Sequence, residues 1–412
     1  MKNTRFMSGA AIAAACLGVA ACSGPAATES ADNDPGELTV WVMGDSSTNF
    51  ETLIAPYVAD TGVEVEVVAV PWDAVDQKFT TAVASGDGPD LLQIGLSKVR
   101  TYADSGALLG LTDEVTADYP GLAPENFVGD PMQVGGETVA VPWISDTRVL
   151  FYRTDILEAN GIDAPPATWD ELREDAAVLA ARGDGQYGYY IPQWDSPLPV
   201  IMTRSFGGDI IDADGNVDFD TPEFHQAVEL YTGLYEDGSV PTNSDFDQTQ
   251  GFVSGIAPML VSGPYLAGAI SSAAPELDGA WGITTIPSGT TNSSLLAGSS
   301  MGVWGDSDNL DGALGLLEFL SSAETQVSWY SIDGQLPTNV DALADPALTG
   351  DPLVAVYSEQ LETSRALPLV PNWDGETGSA LLNALNSIVL TGTHEDEALD
   401  ALFSETAGTS VN

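Results

Sequence analysis

Leu38-Thr39-Val40-Trp41-Val42-Met43, then a helical stretch from Phe50 to Asp60, then Val63-Glu64-Val65-Glu66-Val67-Val68, together decide the fold class. Strand, helix and strand placed this closely make a βαβ unit, and such a unit implies a parallel sheet. Working outward, a second helix from Val75 to Ser85 stops at the turn Gly86-Asp87-Gly88-Pro89, and Asp90 to Ile94 supplies a third strand. The chain therefore reads as α/β.

Further along, helices dominate and their ends are marked. Thr168-Trp169-Asp170-Glu171 is a capping box, after which Leu172, Ala176 and Leu179 share a face up to Gly183. Thr221 caps another helix with Pro222 at its first position, and Phe224, Ala227, Val228, Tyr231, Leu234 and Tyr235 form its buried stripe, ending at Gly238. Ser321-Ser322-Ala323-Glu324 opens a further helix containing Val327 and Tyr330. Asp212 to Asp220 looks like a calcium loop, but Gly215 is fourth where an EF-hand needs glycine sixth, so a polar hairpin turn accounts for it better.

The amino terminus carries an address. Lys2 and Arg5 precede an apolar run from Phe6 to Ala21, which stops at Val19-Ala20-Ala21-Cys22. A basic start, a short apolar core and small residues before the cut mark a secretory signal over 1–21. The ending on Cys22 resembles the lipobox of bacterial lipoproteins, whose cysteine is lipidated and becomes the first mature residue; the alternative is an ordinary cleaved signal. Residues 22–36 then read as the lipidated Cys22 and a flexible tether rich in Ala, Ser, Asp and Pro.

Composition removes several function classes. Cys16 leaves with the signal and Cys22 would carry the lipid, so no disulfide, cysteine nucleophile or thiolate metal site remains. Only His225 and His394 are present, which disfavours histidine triads and multi-histidine zinc sites; no cofactor is expected. With 61 acids against 11 bases, the formal net charge is −50, a surface that repels nucleic acid and anionic lipid. Lys78 and Lys98 are the lysines left after the signal, which fits a surface built for salty surroundings. The roughly 390 residues that follow the signal suffice for two domains with substantial cores.

The ordered set of local motifs resembles the extracellular solute-binding proteins, the maltose-binding-protein-like receptors of ABC sugar importers. It comprises Leu38 to Asp45, Lys78-Phe79, Ala84 to Asp90, Ser105 to Leu108, Val141 to Asp155, Pro166 to Leu172 and Phe206-Gly207-Gly208. Met259 to Tyr265, Trp281 to Pro287, Gly334 to Pro337 and Pro371-Asn372-Trp373 complete it, so it spans nearly the whole mature chain. The resemblance implies a two-lobed periplasmic-binding-protein type II fold with a hinge and an interlobe ligand cleft. One lobe would hold 37–146 plus 297–347 and the other 147–296 plus 348–412. It implies a monomeric, non-enzymatic receptor that captures a sugar, such as an oligosaccharide or glycoside, and delivers it to the membrane subunits of an ABC importer. The lipid anchor is then its sole attachment to the membrane.

Sugar recognition needs an aromatic ring against the apolar CH face and carboxylates or amides for the hydroxyls. By resemblance, Trp373 is a stacking aromatic or else a core tryptophan, and Tyr265 takes the family's Gly-Pro-Trp position. Trp194 and Asp195 line the cleft or belong to an exposed loop. Asp146 aligns with a ligand carboxylate or pairs with Arg148, itself a candidate contact, or with Arg153. Asp45, at the end of the first strand, binds ligand or caps the next helix. Ser97 and Lys98 depart from the family's Thr-Trp and Asp-Arg patterns, and Ser299 can reach a hydroxyl or satisfy a turn. Trp41, Trp169, Trp281, Trp304 and Trp329 fit core positions, with Trp72 and Trp143 undecided. Two rival readings remain: the same fold holding a peptide or polyamine, and a secreted glycosidase or lyase, which needs two carboxylates at a defined separation.

Overall fold

The computed structural model describes residues 36–411 apart from 45, 72–73, 129–131 and 244; the leader, Cys22, Asp45 and Trp72 lie outside the described residues. Strand β1 (Glu37–Met43), helix α1 (Ser47–Thr61), β2 (Glu64–Val70), α2 (Val75–Ser85) and β3 (Leu91–Gly95) form the opening unit. β1 pairs in parallel with both β2 and β3, as the βαβ reading requires. Gly86 closes α2 at φ 73, and its N–H donates to the Ala82 carbonyl. A residue with a Cβ pays a steric penalty in that conformation, so the turn stands where glycine does.

The remaining strands are β4 (Met132–Val134), β5 (Glu137–Thr147), β6 (Val149–Tyr152), β7 (Met259–Ser262), β8 (Gly282–Thr284), β9 (Leu295–Val303), β10 (Leu336–Pro337) and β11 (Arg365–Ala366). One sheet runs β2-β1-β3-β9-β5-β10, with β4 added to β5 and β11 to β9. It is mixed rather than parallel, because β9 arrives from far along the chain and pairs antiparallel with both β3 and β5. A second sheet, β7-β6-β8, is antiparallel throughout.

A single residue, Arg148, separates β5 of the first sheet from β6 of the second, so the chain crosses between two bodies there. β9 lies alongside this passage, pairing Ala297 with Asp146 and Gly298 with Ser145. Gly298 has φ +117, and a Cβ there would overlap the Ile144 carbonyl oxygen. The close approach of the two strands therefore depends on the missing side chain.

Each body has its own apolar filling. In the first, Phe50 meets Trp143 and Trp329 edge-on at centroid distances of 6.2 and 6.1 Å. Each fully buried aromatic of this kind contributes about 1.5–3 kcal/mol. In the second, Leu172, Ala176 and Leu179 of helix Trp169–Ala180 pack with the stripe Phe224 to Tyr235 of helix Pro222–Glu236. Thr168 caps the first of these, accepting from the Glu171 N–H at 3.2 Å, while the Glu171 carboxylate reaches back to the Ala167 N–H at 2.8 Å. Helix Ala323–Asp333 is capped by Ser322 rather than Ser321, with Thr325 instead of Glu324 as its partner. The acidic loop is a hairpin turn: the Asp212 carboxylate accepts from the Asp214 and Asn216 N–H groups at 2.9 and 2.8 Å. No helix among the described residues is long and apolar enough to cross a membrane.

Candidate functional site

The carboxyl ends of β1 and β3, the β5–β6 passage, the turn after β7 and the start of β9 enclose a cleft of about 800 Å³. Strand ends are where open α/β sheets leave backbone groups and loops free for a ligand. The floor is organised by Gln93, which is 4% exposed. Its Oε1 accepts from the Met43 N–H at 2.9 Å, and its Nε2 donates to Ser299 Oγ at 2.8 Å, so β1, β3 and β9 are held by one amide. Sequence reasoning passed over Gln93; the available signal was a lone polar residue inside the apolar run Leu91 to Ile94.

Of the residues expected to bind ligand, Ser97, Asp146, Arg148, Tyr265 and Ser299 line this cleft together. Tyr265 is 48% exposed, with the Arg148 guanidinium 6.0 Å from its ring centroid, while its hydroxyl accepts from Gln248 Nε2 at 3.1 Å and Ser262 Oγ at 3.0 Å. Lys98 and Trp373 meet elsewhere, at a neighbouring cavity of about 570 Å³ that shares Ser97 and Asp374 with the cleft. Trp373 is 1% exposed, packs in the second body's core and donates from Nε1 to Ser196 Oγ at 3.2 Å. In this conformation it has no open face for a sugar ring. Trp194 is 61% exposed and outside the cleft lining, whereas its neighbour Asp195 is buried. The five tryptophans assigned to core positions are buried or pack against the cores, and Trp143 joins them at 2% exposure.

Asp195 accounts for much of the site's electrostatics. Its carboxylate lies 3.7 Å from the Arg148 guanidinium and has no hydrogen-bond partner on either oxygen among the described residues. Burial pushes its pKa up, opposed by Arg148. Burial likewise lifts the Asp146 carboxyl to about 6; Arg148 works against this and the Asp195 charge adds to it. Burial by itself would lower Arg148, but the Asp195 and Asp146 charges and then Tyr265 hold it above its ordinary value. Arg153, the other proposed partner of Asp146, pairs with Asp155 at 2.7 Å.

Lys98 is held in two ion pairs in this conformation. Its Nζ is 2.9 Å from Asp76 and 3.3 Å from Asp374, and Ser97 Oγ donates to the same Asp374 at 3.1 Å. Burial lowers the Lys98 pKa, yet Asp76 and Asp374 outweigh this and raise it. Since Asp374 comes from the last part of the chain, these contacts tie the first body to the segment next to Trp373. No group of three or more metal-ligating side chains occurs among the described residues.

Two bodies joined at the β5–β6 passage thus flank a cleft that presents the half-exposed Tyr265 ring and several carboxylates. Similar proteins share the fold. The sugar-binding protein MalE of Xanthomonas citri superposes with a TM-score of 0.83 at 25% identity, covering 90% of this chain and 96% of that one. A chain of Brucella abortus named only as a binding protein is 28% identical over 379 residues, 89% of this chain and 91% of its own. The diacetylchitobiose binding protein DasA of Streptomyces coelicolor is 26% identical over 381 residues, 88% of each. The model of one family, the bacterial extracellular solute-binding proteins, matches residues 44–327. The chain therefore belongs to the bacterial extracellular solute-binding proteins, extracytoplasmic two-lobed receptors that bind a solute and do not transform it.

Proposed function

We propose that this protein is the capture receptor of an ABC sugar importer, taking up an extracellular saccharide in the cleft between its lobes. The observation that carries the reading is the exposed ring of Tyr265 in a cleft of about 800 Å³ that also presents carboxylates, hydroxyls and apolar side chains such as Leu296, Leu353 and Leu367. A pyranose presents to such a surface one apolar face for the ring and a belt of hydroxyls for the acceptors. The names of relatives support it: DasA binds diacetylchitobiose, and a maltotriose-binding protein of Pyrococcus abyssi is 22% identical over 398 residues. The lobes are taken as 37–146 plus 297–347 and 147–296 plus 348–412, and the protein as a monomer. Ligand touching both lobes would favour a closed form by its preference for that form over the open one.

The reading includes the anchor. Lipidated at Cys22, the receptor stays beside its importer, with the following tether as slack for docking, and Cys22→Ala releases it while leaving affinity intact. A thermal melting scan against mono- and oligosaccharides tests the central part. A ligand that binds only the native state adds about 2.7 kcal/mol at a hundredfold excess over Kd, so at least one saccharide raises the midpoint by a resolvable amount. A flat scan across the panel overturns the sugar reading.

A further inference from the structure

The charges of the cleft are unevenly matched. Among the described residues, four carboxylates line it, those of Asp146, Asp333, Asp351 and Asp374, against one cation, Arg148. Three of the four are already engaged. Asp333 accepts from Asn49 Nδ2 at 2.8 Å, Asp351 from the Tyr330 hydroxyl at 2.9 Å, and Asp374 from Ser97 with Lys98 at 3.3 Å.

Asp146 is the exception. Its Oδ1 is buried with no hydrogen-bond partner among the described residues. Arg148, two positions on, lies 3.7 Å from Asp195, whose side chain is 1% exposed, and its one charge is shared between Asp195 and Asp146, so one guanidinium serves two buried carboxylates. Gly263 packs against the Asp146 carboxylate, and a Cβ there would come within 2.7 and 2.9 Å of its two oxygens. The same turn presents the open ring of Tyr265.

A carboxylate left ionised in a site that ligand binding dries is costly unless a positive charge arrives with the ligand. A sugar hydroxyl supplies a hydrogen bond and no charge; an ammonium supplies both. We infer that the ligand carries a protonated amine set against Asp146, so that the cleft prefers an unacetylated amino sugar to its hydroxyl counterpart and rejects uronates. This rests on the saccharide reading above.

Calorimetric titration of the mature protein with the glucosamine disaccharide, cellobiose, a uronate-bearing disaccharide and spermidine, repeated on Asp146→Asn, tests it. The amine-bearing disaccharide binds about tenfold tighter than cellobiose, a preference that added salt reduces and Asp146→Asn removes. Gly263→Ala, whose Cβ would press on the carboxylate and shift it, weakens the amine compound in the same direction and serves if Asp146→Asn does not fold. Equal binding of cellobiose, tightest binding of the uronate, or a preference that survives in Asp146→Asn overturns the amine assignment and leaves the saccharide reading standing. Binding of spermidine with none of the three sugars overturns the saccharide reading, and binding of none of the four overturns both.

Discussion

Arg148 and Asp195 form an ion pair at 3.7 Å with side-chain exposures of 11% and 1%, joining the crossing point of the two sheets to the segment before helix Pro197–Ser205. Such a pair is held together less by its own attraction than by the cost of separating it. Asp195→Ala removes the nearer of the two buried carboxylates that hold the guanidinium, leaving Asp146 alone, and destabilises the fold by about 3 kcal/mol, read from urea unfolding. Replacing both residues, Arg148→Met with Asp195→Leu, costs much less. Equal losses for the single and double changes would show that the charges do not act as a pair.

The raised carboxyls give stability a definite slope with pH. In the fold, Asp146 titrates at about 6 instead of 3.8, so between these values the native state binds more protons than the unfolded one. Stability therefore falls as pH rises through this window and stays low above it, the reverse of an ordinary salt-bridged aspartate. Asp195, also raised, acts in the same sense. Asp146→Asn flattens the slope over this range in a series of melting scans, and an unchanged slope would remove Asp146 from the account.

Lys98 bridges Asp76 and Asp374, and Arg100 Nη1 donates to the Val411 carbonyl at 2.7 Å, so one short stretch of the first body, which includes helix α3 (Val99–Asp104), holds the last segments of the chain. Lys98 is partly exposed and Asp374 half exposed, so the bridge adds only about 0–1 kcal/mol to global stability. Its effect is expected in shape instead. Lys98→Gln enlarges the radius of gyration of the ligand-free protein in small-angle scattering, and molar salt does the same to the natural sequence. A scattering curve indifferent to both changes would contradict a latch at this position.

Gly298 is required for two reasons at once, its φ of +117 and the Ile144 carbonyl that a Cβ would overlap. Gly298→Ala costs about 2–3 kcal/mol in denaturant unfolding. Gly268, within helix Tyr265–Ala273 and with nothing near its missing Cβ, is the contrast. There the same change adds about 0.5–1 kcal/mol of stability. Matching effects at the two sites would show that strand proximity at the crossing is unimportant.

What could be read beforehand follows the range of the forces involved. The βαβ opening and the caps at Thr168 and Thr221 are local, set by turn chemistry and periodicity within a few residues, and they stand where expected. The Ser322 cap was displaced by one residue because adjacent serines offer the same hydroxyl to the same turn. Gln93, Tyr330, Asp351 and Tyr357 reach the cleft only through tertiary folding, from segments as much as 264 positions apart, and carry no motif. Trp373 shows the limit most clearly. Its Pro-Asn-Trp setting is the same for a stacking platform and a core residue, and only the Ser196 hydrogen bond with the packing around it separates the two. The pairing of Lys98 has no local signal because its partners Asp76 and Asp374 are 22 and 276 positions away.

The most direct measurement is a crystal structure of the mature protein grown with the saccharide that most raises its melting midpoint. The expected result is density for a sugar ring against the face of Tyr265, within hydrogen-bonding distance of Asp146 and of the strand ends near Ser299, in the cleft of about 800 Å³. A saccharide bound on the outer surface, or a cleft empty at saturating ligand, would contradict a receptor that captures its solute between the two bodies.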